Sequence, residues 1–447
     1  MKQHWRRAAL LVALLLARGN PTGAQQATPQ RLTLKEAIGL ALKKNLSVLV
    51  AGTEVDELKG TRERRLASLL PRVSGDLLAN RQNVSLAALG FTSLSSIPIP
   101  TVIPAYNHYD SRVFASQALI DRQAYHNWKA SEKQEQASKL SYQDTRDLVV
   151  RETAGLYLDG QASAAEVEAA EARVTTSQTL EKLAHDQHEQ GLATAVDVVR
   201  AQVQLARDRQ NLLVAHDTYQ TSLLTLARFL GLSPGTPLEL AERLQFHRVQ
   251  APGIEQALHA ALESRSDYRA LLTQRESLIE QQKASRARYL PKLSINGDYG
   301  AQGTVHTMAG IGEIQGTLTV TLFDLDRNGE QKEIQSRVQR LTRQIDDLAR
   351  GIEQDLRKAL LDLDSAENQV SVTEAAFKLA ERELTLAQDR FRNGVTDNIE
   401  VVTAQDMLAS AQDDRILALA RHADARMALA RALGATEKIY QMYLGEP

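Results

Sequence analysis

The amino-acid sequence predicts a mainly α-helical fold with a small β part, written twice by internal tandem duplication. Three observations carry that expectation. First, the chain matches itself without gaps. An offset of about 203 residues carries Gly191 onto Gly394, Asp197 onto Glu400, Val198-Val199 onto Val401-Val402 and Ala201-Gln202 onto Ala404-Gln405. An offset of about 220 carries Ala37 onto Ala257, Leu58 onto Leu278, and LPRVS at Leu70 onto LPKLS at Leu290. Second, the stretches Asp121 to Gln190 and Asp324 to Asn393 run about 70 residues each without a proline. Third, each copy holds two shorter segments in which apolar and polar residues alternate. The change of offset places about 17 additional residues in the first copy, between Pro71 and Gly191.

The N-terminus reads MKQHWRRAALLVALLLARGNPTGAQQ. Basic Lys2, Arg6 and Arg7, an apolar core from Ala8 to Ala17 and the small residues Thr22-Gly23-Ala24 make a secretory signal peptide. A membrane anchor is the alternative, but that core falls short of the roughly 20 residues that span a bilayer. The 447 residues include no cysteine, which excludes disulfides, thiolate metal sites and a lipidated cysteine. A net charge of −2 gives no nucleic-acid footprint, and 4% aromatic content favours long helices over a compact core.

Each copy then runs helix, proline, alternating segment, loop, alternating segment, very long helix, glycine break, shorter helix. The alternation is clearest in the second copy. Leu293, Ile295, Tyr299 and Ala301 take one face, against Ser294, Asn296, Asp298 and Gln302. Its partner sets Ile314, Leu318, Val320 and Leu322 against Glu313, Gln315, Thr317, Thr319 and Thr321. The first copy sets Val73, Leu77 and Ala79 against Ser74, Asp76 and Asn80, followed by a less regular strand through Val113, Ala115 and Leu119. Segments of about 10 residues suit tilted strands that cross a membrane. A hairpin packed on a water-soluble core is the alternative, yet no further strand-rich segment offers it a partner. Four strands cannot close a barrel, and membrane barrels begin at about eight. Two or more chains must therefore share one, and three chains giving twelve strands is one solution.

A helix of about 70 residues is roughly 100 Å long. The shorter helices, Leu192 to Leu230 and Val395 to Leu433, together with the segments before each strand pair, match that length when stacked end to end. Apolar residues are sparse and rich in alanine, with charge around most of each circumference. Such helices have no broad face to bury and suit a wall wetted on two sides and held by narrow seams.

The expected segments are a signal peptide over 1–24, N-terminal helices over 25–70, a first strand pair and loop over 71–120, and a first helical hairpin over 121–231. A linker over 232–256, a helix over 257–290, a second strand pair over 291–323, a second hairpin over 324–434 and a tail over 435–447 follow.

LTLKEAIGLALKKN at Leu32, the LPxxS before each strand pair, the LIDRQ and LFDLDRNGE turns after them, and the duplicated G-x5-[DE]-V-V-x-A-Q together resemble the TolC-type outer-membrane efflux proteins. The likeness covers essentially the whole mature chain. It implies a long antiparallel α-helical barrel continuous with an outer-membrane β-barrel, four strands per chain and twelve per homotrimer. It further implies a passive exit duct that extends into the periplasm and serves efflux or type I secretion. A periplasmic adaptor (membrane fusion) protein and an inner-membrane pump are its implied partners, with outer-membrane lipid around the barrel.

On that resemblance Gly191 and Gly394 mark tight turns at the periplasmic tip, with Asp197 and Glu400 just beyond them. Glu400 stands where the family carries an aspartate facing the aperture, so that three chains make a ring of carboxylates. The family's second aperture aspartate is Thr403 here. Phe391 takes the place of a tyrosine that bonds across helices, and Thr396 that of an arginine. These departures imply a tip closed by weaker polar contacts or by other groups. Without the resemblance, Asp197 and Glu400 read as ordinary carboxylates at helix N-termini.

His185 and His188 share a helical face but lack a third ligand, so no metal is expected. No phosphate loop, nucleophile elbow or HExxH run is present, so neither catalysis nor a cofactor is expected. The apolar loop SLAALGFTSLSSIPIPTVIPAYN from Ser85 fits a tunnel lid, a surface contact or, most simply, packing at the barrel mouth. A periplasmic coiled-coil scaffold or adaptor without a pore is the alternative that the helices alone allow.

Overall fold

The computed structural model describes residues 30–90, 101–233, 235–434 and 436–444. The signal peptide over 1–24 and the middle of the apolar loop lie outside them. The described elements in chain order are β1 (Gln30–Leu32), α1 (Leu34–Lys44), α2 (Leu46–Ala67), β2 (Arg72–Ser85), β3 (Val102–Ile120), α3 (Arg122–Glu189) and α4 (Ala195–Phe229). Next come β4 (Leu238–Leu240), α5 (Ile254–Ser264), α6 (Ser266–Arg286), β5 (Lys292–Gly303), β6 (Ala309–Thr319), α7 (Asp326–Arg392), α8 (Asn398–Leu433) and α9 (Thr436–Leu444). They form two compact units. One takes the described residues up to Asn45 with Glu152–Phe246 and Ala366–Asp424; the other takes Leu46–Arg151, His247–Ser365 and those from Ala425.

The second unit contains an antiparallel sheet ordered β2-β3-β5-β6. Its register places Ser74, Phe114, Asp298 and Glu313 in one row across the sheet. Asp76 and Arg112 face each other in the next row on that side. The Arg112 guanidinium donates to Asp110 at 2.8 and 2.6 Å and to Asp298 at 3.3 Å, so this face carries a fixed polar band. Val73, Leu77, Val113, Tyr299, Ile314 and Leu318 occupy the opposite face, with Leu77 86% and Ile314 83% exposed. The sheet is thus apolar outside a polar face, the pattern that period two dictates.

The strands correct the expected lengths of about 10 residues: β2 has 14 residues and β3 has 19. β5 stops pairing with β3 at Gly303 opposite Tyr109, while β2 and β3 continue to Ser85 opposite Val102. The additional residues of the first copy therefore lengthen this hairpin, and α3 and α7 stay nearly equal at 68 and 67 residues. Val320 and Leu322, expected in the last strand, lie beyond its end at Thr319. Thr319 pairs with Lys292, and the next residue of the partner strand is Pro291, which has no N–H to continue the ladder.

The helix expected over 257–290 is two helices, as is its counterpart in the first copy. Asn45 and Arg265, 220 positions apart, both adopt extended backbone (ψ 132° and 118°) that interrupts the helix. Each break receives the end of a later helix of its own copy. Asn45 Nδ2 donates to Phe229 O at 2.9 Å, and Ser264 Oγ donates to Leu433 O at 2.6 Å. Gly231 (φ 69°) and Gly434 (φ 83°) close those helices, and a Cβ on either would meet Lys44 O at 2.8 Å or Ser264 Oγ at 2.6 Å. The connector contributes β4, which pairs parallel with β1.

Long helices hold to their neighbours along thin stripes. On α7 the buried apolar residues Ile334, Leu341, Ile345, Ile352, Leu356, Ala359 and Leu363 recur at intervals of three, four or seven. That is a coiled-coil seam, not a broad amphipathic face. Among the described residues no helix is long and apolar enough to cross a membrane.

The two stitches predict a graded response to alanine. Gly231→Ala and Gly434→Ala combine left-handed strain with a clash and should each cost about 2 kcal/mol, more than Gly191→Ala, whose added Cβ meets open space. Thermal unfolding of the three variants checks the order.

Candidate functional site

Both turns that the sequence singles out lie in the first unit, so their geometry can be read together. At the first, Gly191 (φ 77°) takes the left-handed conformation. Its N–H reaches His188 O at 3.0 Å and Leu192 N–H reaches Gln187 O at 2.8 Å. At the second, Gly394 (φ 67°) repeats this: its N–H reaches Phe391 O at 3.0 Å, and Val395 N–H reaches Arg390 O at 2.9 Å. Both are Schellman closures, which satisfy the last carbonyls of a helix and need a residue tolerant of positive φ.

The helices that leave the turns start differently. Thr194 caps α4 in a reciprocal box with Asp197: the Asp197 N–H donates to Thr194 Oγ1 at 3.3 Å, and Thr194 N–H donates to Asp197 Oδ2 at 2.9 Å. Arg200 Nη1 adds a contact to Asp197 Oδ1 at 3.2 Å. The Asp197 carboxylate is thus buried and engaged within its own turn, as a carboxylate at a helix N-terminus. Burial opposes its charge, but the Thr194 hydrogen bonds and the Arg200 guanidinium together hold its carboxyl below the usual range.

Glu400, its counterpart, is half-exposed and accepts from Arg390 Nη1 at 2.7 Å. That pair bridges the last turn of α7 and the first turn of α8. Thr403 is exposed and its hydroxyl donates back to Ile399 O at 2.8 Å. Thr396 is half-buried in the turn. Phe391 is 3% exposed and packs in a cluster with Leu180, Ala184, Ala201, Leu384 and Val401. His188 Nδ1 lies 2.9 Å from Ala193 O and His185 Nδ1 lies 3.7 Å from Glu189, so the two rings serve different neighbours.

Residues that the sequence reading did not single out tie the turns to each other. Gln187 Nε2 donates to Phe391 O at 3.2 Å. Asn398, fully buried, donates through Nδ2 to Asp197 O at 2.7 Å and accepts from Arg200 Nη1 at 2.9 Å. Arg200 thereby joins Asp197 and Asn398 across the two hairpins. The signal was present in the self-alignment. At the 203 offset Gln187 meets Arg390, Ala195 meets Asn398 and Arg200 meets Thr403, three departures within a matching frame.

The duplicated hairpins and the sheet with one apolar face can be set against known proteins. The pattern defining the family described as outer membrane efflux protein matches residues 37–232 and 257–435. The chain belongs to that family. It is 24% identical over 411 residues to the toluene efflux pump outer membrane protein TtgC of Pseudomonas putida, covering 85% of this chain and 78% of that one. It is 22% identical over 378 residues to the pyoverdine export outer membrane protein OpmQ of Pseudomonas aeruginosa, covering 82% and 78%. The fold matches that of the outer membrane protein VceC from Vibrio cholerae with a TM-score of 0.75 at 17% identity, over 90% of this chain and 96% of that one. The protein is therefore an outer-membrane efflux channel component with a periplasmic extension, in a family of transport channels.

Two outcomes follow from the geometry. Asp197→Asn should destabilise the turn by about 0.3–1 kcal/mol near neutral pH, the usual worth of a negative charge near a helix N-terminus. Because the native carboxyl sits below its ordinary 3.8, that contribution is full above this value and disappears as pH falls through the native value. Unfolding of wild type and variant should therefore differ near pH 7 and converge only once pH has fallen below 3.8 and through the native value. Asn398→Ala removes the side-chain donor to the Asp197 carbonyl and should speed amide exchange at both turns together, whereas a purely local role would affect only the second.

Proposed function

We propose that the chain works as a homotrimeric exit duct whose periplasmic tip is formed by the two turns of each protomer. Three four-stranded sheets would join β6 of one copy to β2 of the next and close twelve strands. The open edges of the described sheet and its exposed apolar face support this reading. The carrying observation at the tip is the difference between the turns: Asp197 is committed to a cap, while Glu400 stays half-exposed and is held only by Arg390.

Under threefold symmetry Glu400 and its two mates form a ring of carboxylates, each partly neutralised by an arginine one hairpin strand away. Such a ring in a narrow mouth enriches cations. The Arg390 contact is a surface ion pair, worth about 0–1 kcal/mol and weakened by salt, so it tempers the ring without sealing it. Closure is assigned to the link Gln187–Phe391 and Asn398–Asp197–Arg200, in keeping with the expectation that groups other than the family's tyrosine and arginine latch the tip. The duct draws its work from a periplasmic adaptor and an inner-membrane pump. The cargo is small molecules or polypeptides, and the wall reads little of it.

Single-channel recording in planar bilayers under a salt gradient tests the ring. Glu400→Gln should shift the reversal potential toward zero, and Arg390→Ala should shift it further toward cation selectivity. A Glu400→Gln channel with unaltered selectivity removes the ring from the account, while loss of any conductance from the wild-type protein removes the duct.

A further inference from the structure

The repeated Ala-Gln pair ends in two different environments. Gln202 is exposed, with Nε2 3.4 Å from Glu181. Gln405, its counterpart on α8, is 9% exposed, and neither atom of its amide has a hydrogen-bond partner. Buried amides without partners are rare, and each calls for an explanation such as a missing bound group. Gln405 lines a partly open cavity of about 70 Å³ between the two hairpins of the first unit.

The cavity has two kinds of wall. Its polar side is Gln405 with Ser177, Gln204 and Asp208, the last accepting from Ser177 Oγ and, at 3.4 Å, from Gln204 Nε2. Its apolar side is Leu384 and Leu408. Arg173 at the rim is committed through Nη2 to Asp413 and, at 3.2 Å, to Ala409 O. Arg173 Nε is buried without a hydrogen-bond partner, but the guanidinium charge is met by Asp413 and the polar side adds the Asp208 carboxylate, so there is no net positive charge to hold an anion. The open groups are the Gln405 amide, which can both donate and accept, and the Arg173 Nε–H, which together match a hydroxyl or another amide. Water has that chemistry too, at about 30 Å³ per molecule. Two waters would nevertheless leave the leucine wall wet.

We propose that this cavity is a seat for a short-chain alcohol or primary amide of two or three carbons, its polar end held by Gln405 and its carbons against Leu384 and Leu408. Nothing in the duct reading is needed for this, because the site is complete within one chain. The opposed walls also explain why the second copy keeps a glutamine at a position that faces no protein partner.

Saturation-transfer NMR with 1-propanol on the purified full-length protein in detergent tests the seat, with Gln405→Leu and Ala409→Leu as variants. The first removes the amide at nearly constant volume, and the second fills the void from a residue whose side chain makes no hydrogen bond. Transfer to wild type that falls at least tenfold in both variants, with oligomer size and unfolding temperature retained, supports the seat. No transfer above the detergent background in wild type, or undiminished transfer in either folded variant, overturns it. So does a structure determined in 1-propanol with ordered waters alone at Gln405.

Discussion

Backbone N–H and C=O groups along the outer edges of β2 and β6 have no strand partner among the described residues, and in hydrocarbon every such group costs several kcal/mol. Exposed Leu77, Tyr299 and Ile314 on one face add a second demand, since they too lose by contact with water. A single copy of this sheet satisfies neither. Under the proposed trimer both demands are met, the edges pairing with other copies and the apolar face meeting lipid. The helices inherit the consequence. They need not bury a broad face within one chain, as the narrow isoleucine-leucine seam of α7 illustrates.

Much of this was legible in the sequence because punctuation repeats more faithfully than composition. Gly191 and Gly394 announced two closures of one geometry, and the prolines before β2 and β5 fixed where both hairpins begin. Periodicity gave the sheet its faces, but it overran at Val320 and Leu322, since alternation says nothing about when the partner strand runs out of N–H groups. The breaks at Asn45 and Arg265 escaped for a different reason. Neither residue is a strong helix breaker, and the extended backbone there is imposed by the helix end that each break receives. β1 and β4, three residues each, are too short to show any period.

The two glycine turns were legible in their positions and not in their bonds. Asp197 and Glu400 are equivalent in the alignment, yet one caps a helix and the other pairs across a turn. What separates them is a neighbour: Thr194 with Arg200 in the first copy, Arg390 in the second. A carboxylate's role in such a repeat is set by which partner lies within reach, and that distance is a tertiary quantity. Asn398 shows the same in reverse. Its counterpart is Ala195, so comparing the copies marks it as a departure, but only the fold reveals that it fills a gap between hairpins.

The unequal hairpins of the sheet also bear on its mechanics. Past Tyr109, β3 has β2 as its sole described neighbour, so the last stretch toward Val102 is a two-stranded ribbon. Ribbons of that kind are marginally stable alone and twist more strongly than wide sheets. The end of the sheet beyond the fourth strand's reach is therefore its most compliant region, able to splay or curl at little energetic penalty while the wider sheet behind it keeps its curvature.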